Sequence, residues 1–115
     1  MFEKIKNHVL GKNYDLSVAF LSAREMRTVT RKTKNKNKAS NVLAFPLSKT
    51  SGEILLCKET AKKEAPLYGM RQKDFLAYLF IHGLYHLKGY RHGATMERIE
   101  RRTFAKFGFE RNESR

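Results

Sequence analysis

The spacing of apolar positions changes several times along this chain, and each change marks an element. The opening MFEKIKNHVLGKN reads as a short amphipathic helix closed by Gly11. From Leu16 to Leu21 apolar and polar residues alternate as in a strand. Ser22 then offers an N-cap to a helix over residues 23 to 32, with Glu25 at the third position of a capping box. RKTKNKNK, residues 31 to 38, has no apolar position and reads as a flexible, solvated loop with Asn35 and Asn37 as turn formers. NVLAFPL, Asn41 to Leu47, predicts a second strand; its Pro46 cannot donate to a ladder, so that end belongs at an edge or an opening. Ser48 to Gly52 is a turn. EILLC, Glu53 to Cys57, is a third and more buried strand.

The second half is helical. Lys58 to Ala65 predicts a short helix stopped by Pro66, and Gly69 centres a turn over Tyr68 to Met70. A long helix follows from about Arg71 to Lys88; Phe75, Leu76, Leu79, Phe80 and Leu87 give it a wide apolar stripe, which places it at the centre of the core. A last helix over about Thr95 to Phe107 turns Met96, Ile99, Phe104 and Phe107 inward and ends at Gly108, and residues 110 to 115 are expected to fray. The order predicts an α+β protein: a small mixed β-sheet packed with helices, in one domain over residues 1–115.

Composition narrows the function classes. A chain of 115 residues that is 41% hydrophobic can bury a core, and it has no apolar run long enough to span a membrane. The opening residues lack the apolar core and cleavage site of a signal peptide. Cys57 is the single cysteine, so no intramolecular disulfide forms, and a cytoplasmic setting fits. The formal charge of +13 calls for an anionic partner, with nucleic acid first among them. Five of those positive charges fall in RKTKNKNK, where each lysine suits a phosphate. No stacking motif or recognition-helix pattern points to sequence-specific readout.

The candidate chemistry lies in HGLYHLKGYRH, residues 82 to 92. His82 and His86 are four apart and share a face of the long helix, so two imidazoles there suit one cation. Gly89 lets the chain stop and turn, which brings His92 back over the first two. A lone histidine on such a face is ordinarily a packed core residue, but three of the chain's four in this spacing point to a metal site. A tetrahedral ion on three histidines keeps one position for water, as catalytic zinc does. The fourth histidine, His8, has no partner spacing and reads as surface. Cys57, in an apolar strand, reads as an ordinary buried cysteine.

The same spacing of ligands and glycine occurs in metzincin proteases. Those proteases carry a glutamate base after the first histidine, and this chain carries Gly83, which disfavours peptide hydrolysis. A closer likeness is to the YbeY family of bacterial endoribonucleases, whose motif runs HGxLHLxGYDH. His82, Gly83, His86, Leu87, Gly89, Tyr90 and His92 stand at matching places. SNVLAFP, Ser40 to Pro46, resembles the family's T-[DN]-V-L-S-F-P, and SGEILLC, Ser51 to Cys57, its L-G-D-[IL]-[VI]-I. AREMRTVTRKTKNKNK and TMERIERRTFAKFGF resemble the preceding helix with its basic loop and the closing helix.

That resemblance implies a zincin-like fold with the metal site at the C-terminal end of the central helix, and one zinc ion on His82, His86 and His92. It implies single-strand-specific endonucleolytic cleavage of RNA in 16S rRNA 3′-end maturation and ribosome quality control. The implied partners are rRNA, the small ribosomal subunit and possible ribosome-associated proteins, with neither membrane nor DNA. Lys34 stands where the family has an arginine in YRxKD. With Arg31, one helical turn earlier, it is the candidate catalytic cation; Lys32, Lys34, Lys36, Lys38 and Asn41 are candidate RNA-binding residues. Of these, Lys36 and Lys38 read sooner as solvated loop lysines, and Asn41 reads equally as a loop cap. Glu53 takes the family's aspartate position and reads as a strand-end or supporting residue rather than a base. The chain departs from the motif at Tyr85, for leucine, and at Arg91, for aspartate, and it is shorter than most relatives. An alternative is a metal-stabilised ribosome- or RNA-binding factor with little nuclease activity.

Overall fold

The computed structural model describes residues 1–109. The elements are α1 (Phe2–Leu10), β1 (Asp15–Leu21), α2 (Ala23–Lys34), β2 (Val42–Ser48), β3 (Ser51–Cys57), α3 (Lys58–Glu64), a 3₁₀ turn (Ala65–Tyr68), α4 (Gln72–Leu87) and α5 (Ala94–Lys106). The fraying expected for residues 110 to 115 lies outside the described residues. The sheet order is β1-β3-β2, with β1 parallel and β2 antiparallel to β3, so it is mixed as the element order predicts.

The central strand is the one whose sequence is a continuous apolar run, because both its faces are covered. Ile54 and Leu56 point to one side, where they join Ile5, Phe80, Ile81, Leu84 and Phe104 in the main core. Leu55 and Cys57 point to the other, where Met26 of α2 and Leu43 of β2 cover them. The result is three layers, with α4 and its neighbours α1 and α5 on one face of the sheet and α2 on the other. Pro46 lies on the edge strand β2, next to a register shift between Pro46 and Ser48, which is where a residue without an N–H is tolerated.

Gly83 explains how closely α4 sits. A Cβ at this position would lie 3.1 Å from Ile54 Cδ1, so the helix backbone packs directly on the central strand. The position that carries a carboxylate base in metzincins therefore faces the sheet here.

Two boundaries differ from the sequence expectation: the turn expected at Ser48 to Gly52 is shorter, since β2 runs to Ser48 and β3 starts at Ser51, and the end of α2 lies later. The helix expected over residues 23 to 32 runs on through Lys34, so the first half of the stretch read as loop, residues 31 to 34, is its last turn. Arg31, Lys32 and Lys34 are good helix formers, and their charges complement the negative end of the helix dipole. Asn35 ends the helix in the left-handed conformation, φ 54°, with its N–H donating to the Arg31 carbonyl at 3.1 Å. Thr30, fully buried, donates to the Met26 carbonyl at 2.8 Å and bonds Ser40 Oγ at 3.0 Å, which fastens the end of the loop to the helix.

Candidate metal centre and its flanking clefts

His82 and His86 occupy the last turns of α4, where the core helix emerges from the sheet. After Leu87 the helix stops, Gly89 takes φ 108°, and the chain returns with His92 above the pair. Each of the three histidines offers a ring nitrogen, and these nitrogens all lie within 4.8 Å of one another. The rings of His82 and His92 are 4.9 Å apart between centres, and those of His86 and His92 are 4.6 Å apart.

A buried carboxylate sets the orientation of the first ring. Glu100 of α5 is only 2% exposed, and its Oε2 lies 2.5 Å from His82 Nδ1. The other carboxylate oxygen accepts from the Tyr78 hydroxyl at 3.3 Å. With Nδ1–H donating to Glu100, the lone pair of His82 is on Nε2, facing the cluster. His86 Nε2 lies 3.1 Å from that atom. Two ring nitrogens this close need a proton or a cation between them. The distance is close to the roughly 3.3 Å between donors on a tetrahedral ion with bonds of about 2.0–2.1 Å. Burial, followed by the charges of His82 and His92, lowers the His86 pKa against the opposing influence of the Tyr90 backbone and Glu100. Neutral imidazole is the form that ligates. The donor set, its spacing and the carboxylate behind it therefore fit a divalent metal that accepts nitrogen ligands.

Two clefts meet at this cluster. One, about 550 Å³, has His82, His86 and His92 in its wall with Lys34, Lys36, Lys38 and Asn41. The other, about 380 Å³, is shared through His82, His92 and Asn41, and its remaining wall is largely aromatic and acidic. Asn41 stands between them, its side-chain amide donating to Glu64 Oε1 at 2.7 Å and its carbonyl accepting from the Cys57 N–H at 3.1 Å. It caps the loop and faces both clefts, so the two readings of this residue are compatible.

The other candidates separate by position. Lys34, Lys36 and Lys38 share the wall of the larger cleft with the histidines. Arg31 and Lys32 are exposed on α2 and are not part of that wall. Glu53 alternates with Gly52 and Ile54, which pack on α4, so it points to the opposite face of the sheet from the histidines. Cys57 is buried on that same opposite face and accepts from Thr60 Oγ1 at 3.2 Å. His8 is exposed, with its ring edge-on to Phe107. Tyr90 packs against the main core and meets Tyr85 edge-on.

Glu100, Glu64 and the aromatic wall escape a motif search. Glu100 had one signal: with Met96 and Phe104 it forms an i, i+4, i+8 row, which puts a carboxylate in the apolar stripe of the last helix. A buried carboxylate needs a partner, and the helix beside it supplies histidines.

Fold and site together define a small α+β domain with a histidine cluster able to hold a metal, beside a lysine-lined cleft. Comparison with known proteins assigns it more narrowly. The family model described as Endoribonuclease YbeY matches residues 1–108. An Endoribonuclease YbeY of Bartonella quintana is 31% identical over 116 positions, covering 87% of this chain and 73% of the relative. One of Buchnera aphidicola is 30% identical, covering 96% and 80%. The chain belongs to this family. It spans between 61% and 80% of the length of the relatives from Finegoldia magna and Buchnera aphidicola. The solution structure of TM1509 from Thermotoga maritima shares the fold, with a TM-score of 0.67 at 23% identity, covering 90% of this chain and 74% of that one.

Proposed function

We propose that the chain is a zinc-dependent endoribonuclease that cuts single-stranded RNA. The observation that carries this reading is the three-histidine cluster set in the wall of a cleft that also holds Lys34, Lys36 and Lys38. Membership of a family described as endoribonucleases supports it.

His82, His86 and His92 would hold the ion, which would supply Lewis-acid activation of water and of a phosphoryl oxygen. Glu100 fixes the tautomer and direction of His82 through Nδ1. Lys34 holds the scissile phosphate and offsets the charge that develops on it, as a point cation rather than a bidentate fork. Lys36 and Lys38 hold flanking phosphates along the same wall. Arg31 and Lys32, outside the wall, add only to the surrounding positive field. The zincin-like classification, maturation of the 16S rRNA 3′ end, ribosome quality control, association with the small subunit and its proteins, and a cytoplasmic location complete the reading.

One observation favours a second reading. Among the described residues of the larger cleft's wall, the single carboxylate is Glu64, which is engaged by Asn41, and Arg91 takes the place of the motif aspartate. Such a site would bind RNA with little cleavage. The test is a cleavage assay on an unstructured RNA and on the same RNA annealed to its complement. The nuclease reading predicts cuts in the first only, and none by His86→Ala. Tight RNA binding by zinc-loaded wild type without cuts selects the binding factor.

A further inference from the structure

The smaller cleft has a composition opposite to its neighbour. Its wall includes Tyr68, Phe75 and Tyr78 with Glu97 and Glu100, and no lysine or arginine among the described residues. Two carboxylates repel a phosphate, so the backbone of a bound RNA belongs in the lysine cleft. The aromatic cleft accepts what the backbone carries. The two meet at His82 and His92, so a base and the phosphate next to it reach both from one strand.

Tyr68 is built as a platform. One face of its ring stacks on Phe75, with centroids 4.9 Å apart and planes 21° from parallel. Phe75 is 1% exposed and anchors it, whereas Tyr68 is 44% exposed. Gly69, in the left-handed conformation at φ 67°, turns the chain just after Tyr68 and holds it at the cleft. An exposed aromatic fixed from behind is the arrangement on which unpaired bases stack, in a manner tolerant of sequence. The volume of about 380 Å³ lies within the range of roughly 300–1,000 Å³ typical of small-ligand sites. Glu97, exposed beside the platform, can accept from base N–H groups.

We infer that the aromatic cleft is a nucleobase subsite, in which Tyr68 stacks one unpaired base of the RNA beside the histidine cluster. The inference rests on the proposed RNA substrate. It gives that proposal a structural source of single-strand selectivity, because a base paired in a duplex has no free face to offer Tyr68.

The test measures affinity of the full zinc-loaded chain for a phosphorothioate-linked single-stranded oligoribonucleotide that resists cleavage, and for the same oligomer with abasic sites. Tyr68→Ala should weaken binding of the base-bearing oligomer by roughly tenfold, with Tyr68→Phe within about twofold of wild type. Tyr68→Leu, which keeps apolar packing on Phe75, should match Tyr68→Ala and guards against a folding defect. All four proteins should bind the abasic oligomer equally. Wild-type affinity of Tyr68→Leu for the base-bearing oligomer, or an equal loss on the abasic one, overturns the subsite. Failure of wild type to bind either oligomer overturns the RNA reading and the subsite together. Binding as described, without cleavage of ordinary RNA, removes only the nuclease claim.

Discussion

His82 donates through Nδ1 to a carboxylate that is almost wholly buried, and the other ring nitrogen is thereby committed to the cluster. Glu100 therefore supports the site from behind a ligand. Glu100→Gln should lower zinc affinity by roughly 10- to 100-fold while leaving the thermal midpoint near wild type, as read by a competing zinc chelator and by calorimetry. Unchanged zinc affinity would show that Glu100 only packs. His86→Ala should lose stoichiometric zinc, and full metal content in that variant would reject the site. The three histidines were legible from sequence because two lie on one helix turn and the third follows a glycine. Glu100 was not, because it comes from a different helix and meets His82 only once α5 packs on α4. Glu53 shows the converse: its motif position is conspicuous, but strand alternation turns it away from the histidines.

Elements with strong periodicity were readable to within a residue or two. The capping box at α2 is an example: the Glu25 N–H donates to Ser22 Oγ at 3.1 Å, and the Ser22 N–H donates to Glu25 Oε1 at 2.9 Å. These bonds to the Ser22 backbone and side chain hold the Glu25 pKa below its ordinary value of 4.5. A depressed carboxylate pKa stabilises the fold above that ordinary value and loses the contribution as pH falls through the folded-state pKa. Wild type should thus lose more stability than Glu25→Gln between neutral pH and acid, in parallel urea titrations; identical pH profiles would remove the cap's charge from the account. The C-terminal end of α2 falls at Lys34 rather than at residue 32, because Asn35 in the left-handed conformation sets the stop and residues 31 to 34 carry no apolar position to mark it. Gly83 carries the packing of α4 on β3. Gly83→Val should destabilise by about 1–3 kcal/mol in denaturant unfolding, since Ile54 leaves no room for a branched side chain. Stability at the wild-type level would mean that the helix moves freely on the strand.

For the whole molecule, the formal charge of +13 acquires a direction from the fold. Three of the positive charges, on Lys34, Lys36 and Lys38, face the histidines, and the neighbouring cleft carries carboxylates instead. Charge asymmetry of this kind orients a polyanion rather than merely attracting it. Replacing those three lysines with alanine should reduce the slope of log affinity for single-stranded RNA against log salt by about 2, near 0.7 per phosphate contact. An unchanged slope would place the phosphates elsewhere. The charge itself was plain in the sequence. Its division between two clefts was not, since Lys34 to Lys38 and Tyr68 come together only through the folding of α2, the loop after it and α4. No helix among the described residues is long and apolar enough to cross a membrane. The central claim is that RNA is cut by a metal held on His82, His86 and His92. Its most direct test follows cleavage of an unstructured RNA by the purified chain before chelation, after chelation and after zinc is returned. Cuts that vanish with the metal and reappear with zinc are the predicted result; cleavage indifferent to chelation, or none at one zinc per chain, would contradict it.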